Sequence, residues 1–388
     1  MRRFFFTVCV AVLWAGGVMA EVPQGPPNAD FQPAFENQTR APELRDGVGL
    51  NVQTLARGLR NPWGVEVLPD GRYLVTERSG ALKLIGNGQV ESVRGVPKVL
   101  AERQGGLLDV ALAEDFETSR QIFLTYSKPV GAGRAVTAAA RAVLEDGPPR
   151  LTGLREIFVQ TPPRRSGQHF GSRIVPHGGF VYITLGDRGR PAYAQDLNAT
   201  IGKVVRVTPN AKVPQSNPFS DRSDARPEIY SFGHRNPQGA DIHPETGDLW
   251  TLEHGPAGGD ELNRIIPGAN YGWPRVSYGV NYSGTPVGTG QSSAKGVTEP
   301  RYYWDPVIAP GGFAFYDGAM FGWRGDVLAG SLNPGGLVRL KLKGDRVVGE
   351  ARYLQNLGRI RDVEIDRDGA LLLLVDARDG ALVRVTPQ

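Results

Sequence analysis

From about Leu59 to Pro387, short apolar runs alternate with polar turns, and no window holds the 3.6-residue period of an amphipathic helix. The runs come in sets: one apolar strand, a turn built on Asp or Gly, a second strand, then a third. Six such sets are legible. They read GVEVLPDGRYLVTERSGALKLIG, LLDVALAEDFETSRQIFLTYSK, SRIVPHGGFVYITLGD with KVVRVTP, GADIHPETGDLWTLEHG, GFAFYDGAMFGWRGDVLAGSLNPGGLVRLKL and RDVEIDRDGALLLLVDARDGALVRVTP. Turns such as PDG, ETG and RDG are strong hairpin chemistry. A unit of this kind cannot bury both faces alone, so six of them predict an all-β chain closed into a six-bladed β-propeller. A pair of β-sandwiches is the alternative that the repeat count disfavours. Four long insertions, 160–173, 186–203, 210–237 and 274–310, are expected to gather around the mouth of the central channel, giving an active-site face of long loops.

The N-terminal segments follow other rules. Residues 1–20 read as a signal peptide: Arg2 and Arg3, an apolar run from Phe4 to Trp14 too short to span a bilayer, and a small-residue cleavage site at Val18-Met19-Ala20. An uncleaved anchor is the alternative that the short run disfavours. Residues 21–49, rich in Pro, Asn and Gln, read as an extended or disordered lead-in to a propeller domain at 50–388. Cleavage would remove Cys9, the only cysteine, which excludes disulfides, zinc thiolates and cysteine catalysis from the mature chain. It would also take the formal charge from +4 to +2, since Arg2 and Arg3 leave and no acid does (42 basic against 40 acidic residues). A balance so near neutral, without a long basic run, points away from nucleic acid. No later segment offers the roughly 20 apolar residues of a membrane span. These features together suggest the bacterial periplasm.

The densest chemical signal is GHRNPQG at 233–239, followed by EHGPAGGDELN and NYGWP. An anion site beside a calcium site would account for it, and that combination points to a bound quinone. Arg235 offers a rigid fork of donors and Asn236 a neutral one, although an arginine pairing with a neighbouring blade's acid would look the same. Arg359 and Arg361 alternate along a strand and face one side, where they repel unless an anion lies between them. His169 precedes one strand and Asp187 ends the next, the arrangement of a general base held in one tautomer. An unrelated surface His and turn Asp fit that spacing equally well. His234 is read as structural, and His177 and His243 as solvated turn residues. Gly255-Pro256 could turn successive carbonyls toward a hard cation such as Ca²⁺, or be an ordinary turn. Asp260-Glu261 could bind a second cation or form surface ion pairs. The chain has no EF-hand, HExxH, P-loop, GxGxxG or GxSxG pattern.

NPWGVEVLPDGRYLVTER, QGGLLDVAL, QHFGSR, YITLGDRGR, FGHRNPQG, EHGPAGGDELN, NYGWP, IAPGGFAFY and RIRDVE occur in that order, and the series resembles the soluble aldose sugar dehydrogenases that use pyrroloquinoline quinone (PQQ). The likeness runs from about Leu59 to Pro387 and implies a six-bladed propeller. It implies that His169 takes the proton of the anomeric hydroxyl as hydride passes to the quinone, with Asp187 orienting it. It also implies that Arg235 and Asn236 sit at the quinone oxygens, Gln104 at the cofactor edge, and Arg359 and Arg361 on its carboxylates. Gly255 and Pro256 would give carbonyls to the Ca²⁺ that holds PQQ, and Glu261 with the Tyr271 carbonyl would bind a structural Ca²⁺. The implied partners are an aldose and an unidentified periplasmic electron acceptor.

The chain departs from that family where a lysine usually contacts PQQ on the fifth blade: Asn333 stands there, and losing the cation would weaken cofactor binding by about 1–3 kcal/mol. Arg339 could not replace it without a different backbone path. Gln168, where acidic residues also occur in relatives, bears on sugar preference. Two other readings compete: a calcium-dependent, lactonase-like propeller hydrolase, and a non-catalytic sugar-binding propeller. The hydrolase would draw carboxylates and Asn into the channel as ligands, a set the sequence does not show. The binding module would have no reason to keep His169, Asp187, Arg235, Arg359 and Arg361 together.

Overall fold

Six four-stranded antiparallel sheets stand around one axis in the computed structural model, which describes residues 20–145 and 147–388. The expected signal peptide lies, apart from Ala20, outside those residues. The innermost strands are Pro62–Val67, Leu107–Leu112, Ile174–His177, Pro237–Ile242, Pro310–Phe315 and Ile360–Ile365, for blades 1 to 6 in order. In blades 1 to 5 the strands follow outward in chain order. Blade 6 takes its outermost strand, Leu50–Leu59, from the start of the domain, paired antiparallel with Gly380–Pro387 in the register Val52↔Val385. The ring is thus closed by hydrogen bonds between its two ends, leaving no free seam to splay.

Between each pair of neighbouring blades lies one apolar cluster, which is why the middle strands read as continuous apolar runs. Leu371–Val375, LLLLV, is buried on both faces, against blade 5 through Leu371 and Leu373 and against blade 1 through Leu372 and Leu374. In blade 2 the alanine-rich strand Ala135–Glu145 lets its neighbours approach closely, with Ala138, Ala139 and Ala140 fully buried. The 21–49 segment is extended chain laid over blades 4 and 5. Gln38 and Ala41 are fully buried, Glu43 bridges Glu350, and Asn28 N–H donates to Asp305 Oδ1 at 2.8 Å.

Because successive strands are antiparallel, connections alternate between the two ends of the ring. The segments 160–173 and 186–203 stay at the end where the innermost strands begin. Residues 208–228 instead join the third and fourth strands of blade 3, so the first part of the 210–237 insertion leaves from the opposite end. The 265–301 connection starts there too, yet climbs far enough for Trp273 to reach Asp187.

Five of the six innermost strands carry a register shift at their starting end, between Pro62/Val65, Leu107/Val110, Pro237/Gly239, Pro310/Phe313 and Ile360/Asp362. A bulge re-aims a side chain. Here the shifts place Asp109, Gln238 and Asp362 around Arg173, which donates to Asp109 Oδ1 at 2.8 Å, Asp362 Oδ1 at 2.9 Å and the Gln238 carbonyl at 3.2 Å. Beyond this plug the channel is acidic. Desolvation, with the charges of Asp109 and Asp362, pushes Glu66 up to about 7, and desolvation does the same to Asp241. A carboxyl raised in this way stabilises the fold fully below its unfolded value near 4.5 and loses that contribution as pH rises through about 7. Glu66→Gln is therefore expected to raise the melting temperature at pH 8 by about 2 °C and to leave it unchanged near pH 4, as thermal melts at both pH values would show.

Candidate active site

The Ile174–His177 and Phe180–Leu185 hairpin, paired through Ile174↔Ile183, brings the chain on either side of it back to one end of the ring. His169 precedes the hairpin and Asp187 follows it. Their side chains meet at 2.6 Å, His169 Nδ1 to Asp187 Oδ1. Asp187, only 1% exposed, also accepts from Gly189 N–H at 2.7 Å and from Trp273 Nε1–H at 2.8 Å. A carboxylate at Nδ1 holds the imidazole proton there and leaves Nε2 as the basic nitrogen. The loop bearing His169 is braced on all sides. Its backbone N–H donates to Gln104 Oε1 at 2.7 Å, and Gly171 N–H donates to Asn236 Oδ1 at 3.1 Å. Arg188 donates to the Ser166 and Gln168 carbonyls at 2.6 and 3.1 Å and lies over the Phe170 ring. Glycine is required at 186, because a β-carbon there would collide with the His169 carbonyl.

His169 opens on a cavity of about 250 Å³ at the channel mouth, floored by Trp63 and Gln238 and lined by Arg78, Arg235, Arg359 and Arg361. Arg235 donates to the His254 carbonyl at 3.1 Å and to the Tyr282 hydroxyl at 3.4 Å, and its guanidinium lies 5.3 Å from the Trp273 ring centre. Asp376 is the anion between the paired arginines, accepting from Arg359 at 3.1 Å and Arg361 at 3.3 Å. Despite its burial, those two guanidiniums hold it below the usual carboxylate range. Arg361 also donates to Gln238 Oε1 at 2.7 Å, and His254 Nε2 lies 3.1 Å from the same oxygen. Since that oxygen only accepts, His254 is the donor. Burial, with Arg361 and Arg235 nearby, pushes His254 well below its ordinary value, so it stays neutral. Four guanidiniums thus face one carboxylate in the cavity wall. Among the described residues, Arg235 Nε and Arg361 Nε are buried with no acceptor.

A second, narrow void of about 20 Å³ adjoins the cavity behind Arg235 and His254, lined by Gly255, Pro256, Glu261 and Tyr271. Among the described residues, Asp260 and Glu261 form no surface ion pair. Asp260 is 1% exposed and accepts the N–H groups of Gly255, Ile308 and Ala309 at 2.8, 2.9 and 2.7 Å, fixing the Gly255-Pro256 corner. Glu261 faces Glu253 across the strand pair, and Asn263 Nδ2 is shared between them at 3.1 and 3.0 Å. Desolvation and the Glu253 charge hold Glu261 well above the usual carboxylate range. Among the described residues, no group of three or more His, Cys, Asp or Glu side chains is arranged to hold a metal ion.

The family model for glucose/sorbosone dehydrogenases matches residues 59–384. The chain belongs to this dehydrogenase family. It is 42% identical to the aldose sugar dehydrogenase YliI of Escherichia coli K12 over 87% of this chain and 93% of that one. The apo crystal structure of the soluble aldose sugar dehydrogenase from Escherichia coli superposes with a TM-score of 0.85 at 40% identity, covering 88% of this chain and all (100%) of that one. A PQQ-bound aldose sugar dehydrogenase from Streptomyces coelicolor gives 0.72 at 26% identity, over 87% and 99% of the two chains.

In this glucose/sorbosone dehydrogenase family member, Gln104, His169, Arg235, Asn236, Arg359 and Arg361 line one cavity, with Asp187 behind His169. Asn333 is exposed and does not line the cavity, and Arg339 is engaged elsewhere with Asp326 and Asp46. His234 is fully buried between Ser231 and Glu253, the structural role expected of it. His243 is not solvated, because the Trp250 and Phe315 rings enclose it. Sequence reasoning missed Arg78, His254, Asp376, Trp273 and Tyr282. Gln238 alone carried a signal, since it follows Asn236 at the spacing that shares a strand face. Asp376→Asn strands Arg359 and Arg361 without their counter-charge. It is expected to cost about 2 kcal/mol or more of unfolding free energy, measured by denaturant titration of the ligand-free protein.

Proposed function

We propose that the chain oxidises an aldose at its anomeric carbon to the lactone, in the periplasm, with PQQ as the hydride acceptor and Ca²⁺ beside it. Membership of the glucose/sorbosone dehydrogenase family supplies the broader frame, an oxidoreductase acting on sugars. The observation that carries the finer reading is the His169–Asp187 pair at 2.6 Å opening on a cavity where guanidiniums outnumber carboxylates.

The residues present fit a flat tricarboxylate. The buried Arg235 Nε and Arg361 Nε lack acceptors among the described residues, and carboxylate or quinone oxygens would supply them. Arg235, Arg359 and Arg361 would hold PQQ, with Gln104 and Asn236 at its edge and Trp63 as an apolar wall. They also fit calcium. Glu261 is a half-buried carboxylate with one amide donor, and Asn263 Oδ1 is buried without a partner among the described residues, the hard oxygens such a cation takes. Gly255 and Pro256 carbonyls would hold the ion at PQQ, and Glu261 with the Tyr271 carbonyl a structural one. When bound, PQQ supplies a two-electron acceptor and Ca²⁺ a Lewis acid acting on it.

The chain's own part is proton transfer and charge placement. His169 Nε2 takes the proton of the anomeric hydroxyl, and the Asp187 carboxylate stabilises the imidazolium that forms. Arg235, held by the His254 carbonyl and the Trp273 face, places positive charge where negative charge develops. An aldose would enter past Tyr282, which is 79% exposed at the rim. The electron carrier that receives the reducing equivalents is unidentified.

The hydrolase reading needs side-chain carboxylates converging in the mouth of the channel. The channel's Glu66, Asp241 and Glu364 lie instead on the far side of Arg173, Asp109 is bonded to Arg173 itself, and Asp376 is taken by two arginines. Purified protein incubated with PQQ and Ca²⁺ is expected to reduce a dye in the presence of aldoses, with activity lost in EDTA. His169→Ala should lower kcat by about 10²–10⁴-fold while the PQQ absorbance still accompanies the protein. Turnover that ignores both additions would overturn the reading.

A further inference from the structure

We propose that Trp273 is a positioning residue of the proton-abstracting pair, tying His169 and Asp187 to Arg235. Its catalytic consequence rests on the dehydrogenase reading; its geometry does not. Trp273 arrives from the long 265–301 connection of blade 4, whereas Asp187 belongs to blade 3. The indole Nε1–H donates to Asp187 Oδ2 at 2.8 Å. The other oxygen, Oδ1, serves His169 Nδ1 at 2.6 Å and Gly189 N–H at 2.7 Å. A carboxylate turns freely about its last bond unless both oxygens are held, and among the described residues Oδ2 takes no other hydrogen bond. The indole N–H therefore sets the plane of the carboxylate. That plane keeps Oδ1 on Nδ1, the proton on Nδ1 and the lone pair on Nε2.

The same side chain presents its ring face to Arg235, 5.3 Å away. The backbone closes the triangle: Trp273 N–H donates to the Gly233 carbonyl at 3.0 Å, and Asp187 N–H donates to the Arg235 carbonyl at 2.8 Å. Gln195 Nε2 holds the Trp273 carbonyl at 2.8 Å. The base and the cation are thus placed relative to one another by one tryptophan, through a hydrogen bond on one side and a cation–π contact on the other.

Trp273→Phe separates the two roles, because it keeps an aromatic face for Arg235 and removes only the N–H. Nitrogen-15 NMR of labelled histidines in the cofactor-free protein reads the tautomer, with His169 assigned by its absence in His169→Ala. The natural protein is expected to show one tautomer, protonated on Nδ1, and Trp273→Phe a mixture of two. After reconstitution, kcat for an aldose should fall about tenfold while KM stays within about twofold. A benzothienyl isostere at position 273, with sulfur in place of N–H and the same shape, should reproduce both changes, and it carries the measurement if Trp273→Phe does not fold. An unchanged single tautomer in the folded variants overturns the positioning role. No turnover by the natural protein after reconstitution would overturn the dehydrogenase reading instead, leaving the tautomer result to decide the role of Trp273.

Discussion

Arg173 crosses the channel axis and is bonded to two carboxylates, one from the blade next to its own and one from the blade directly across the ring. Asp109 comes from blade 2 and Asp362 from blade 6, while the Gln238 carbonyl comes from blade 4 and the Trp63 ring of blade 1 lies 4.8 Å from the guanidinium. Five of the six innermost strands or their leads therefore converge on one side chain. Removing one member of such a buried set would leave the others uncompensated, a cost of about 3–5 kcal/mol. Asp362 also accepts the Val65 N–H at 3.0 Å and Asp109 the Ile174 N–H at 2.8 Å, so the charges are locked to the backbone they organise.

This plug divides the channel into two electrostatic compartments. On one side lie Glu66, Asp241 and Glu364, whose desolvation raises their carboxyls. On the other lie four guanidiniums with one carboxylate among them. A polyanion is drawn to the second compartment and refused by the first, and Arg173 prevents the two from neutralising one another. The His169–Asp187 pair sits at the edge of the positive compartment, in reach of whatever lies over it. The His169–Asp187 pair and the cavity's charge are mechanically linked, because Asp187, Arg235 and Trp273 share backbone and side-chain contacts.

Much of the architecture was legible in the amino-acid order. Alternating apolar runs with PDG, ETG and RDG turns specify six hairpin units, since each unit needs a neighbour to cover its second face. What alternation does not encode is the bulges. A one-residue shift at the start of a strand moves a side chain from one face to the other, and Asp109, a partner of Arg173 that the sequence pattern did not single out, lies within such a shift. Arg78 and Asp376 were illegible for another reason: each lies just beyond a strand end, where local pattern stops and only ring closure decides what faces the channel. The 21–49 segment has no apolar period because it contributes isolated anchors, Val22, Gln38 and Ala41, to surfaces built by blades 4 and 5. The environment of His243 depends on Phe315, more than seventy residues further along the chain, which no local window contains.

The central claim is that the unbalanced guanidiniums at the channel mouth are there to hold a polycarboxylate quinone. Equilibrium titration of the cofactor-free protein with PQQ in the presence of Ca²⁺, followed by quinone absorbance and calorimetry, tests it most directly. The account predicts one PQQ per chain, bound at micromolar concentration or tighter, weakened by salt and at least about tenfold by Arg361→Met in a folded variant. No binding at micromolar PQQ, or binding indifferent to Arg361, would contradict it.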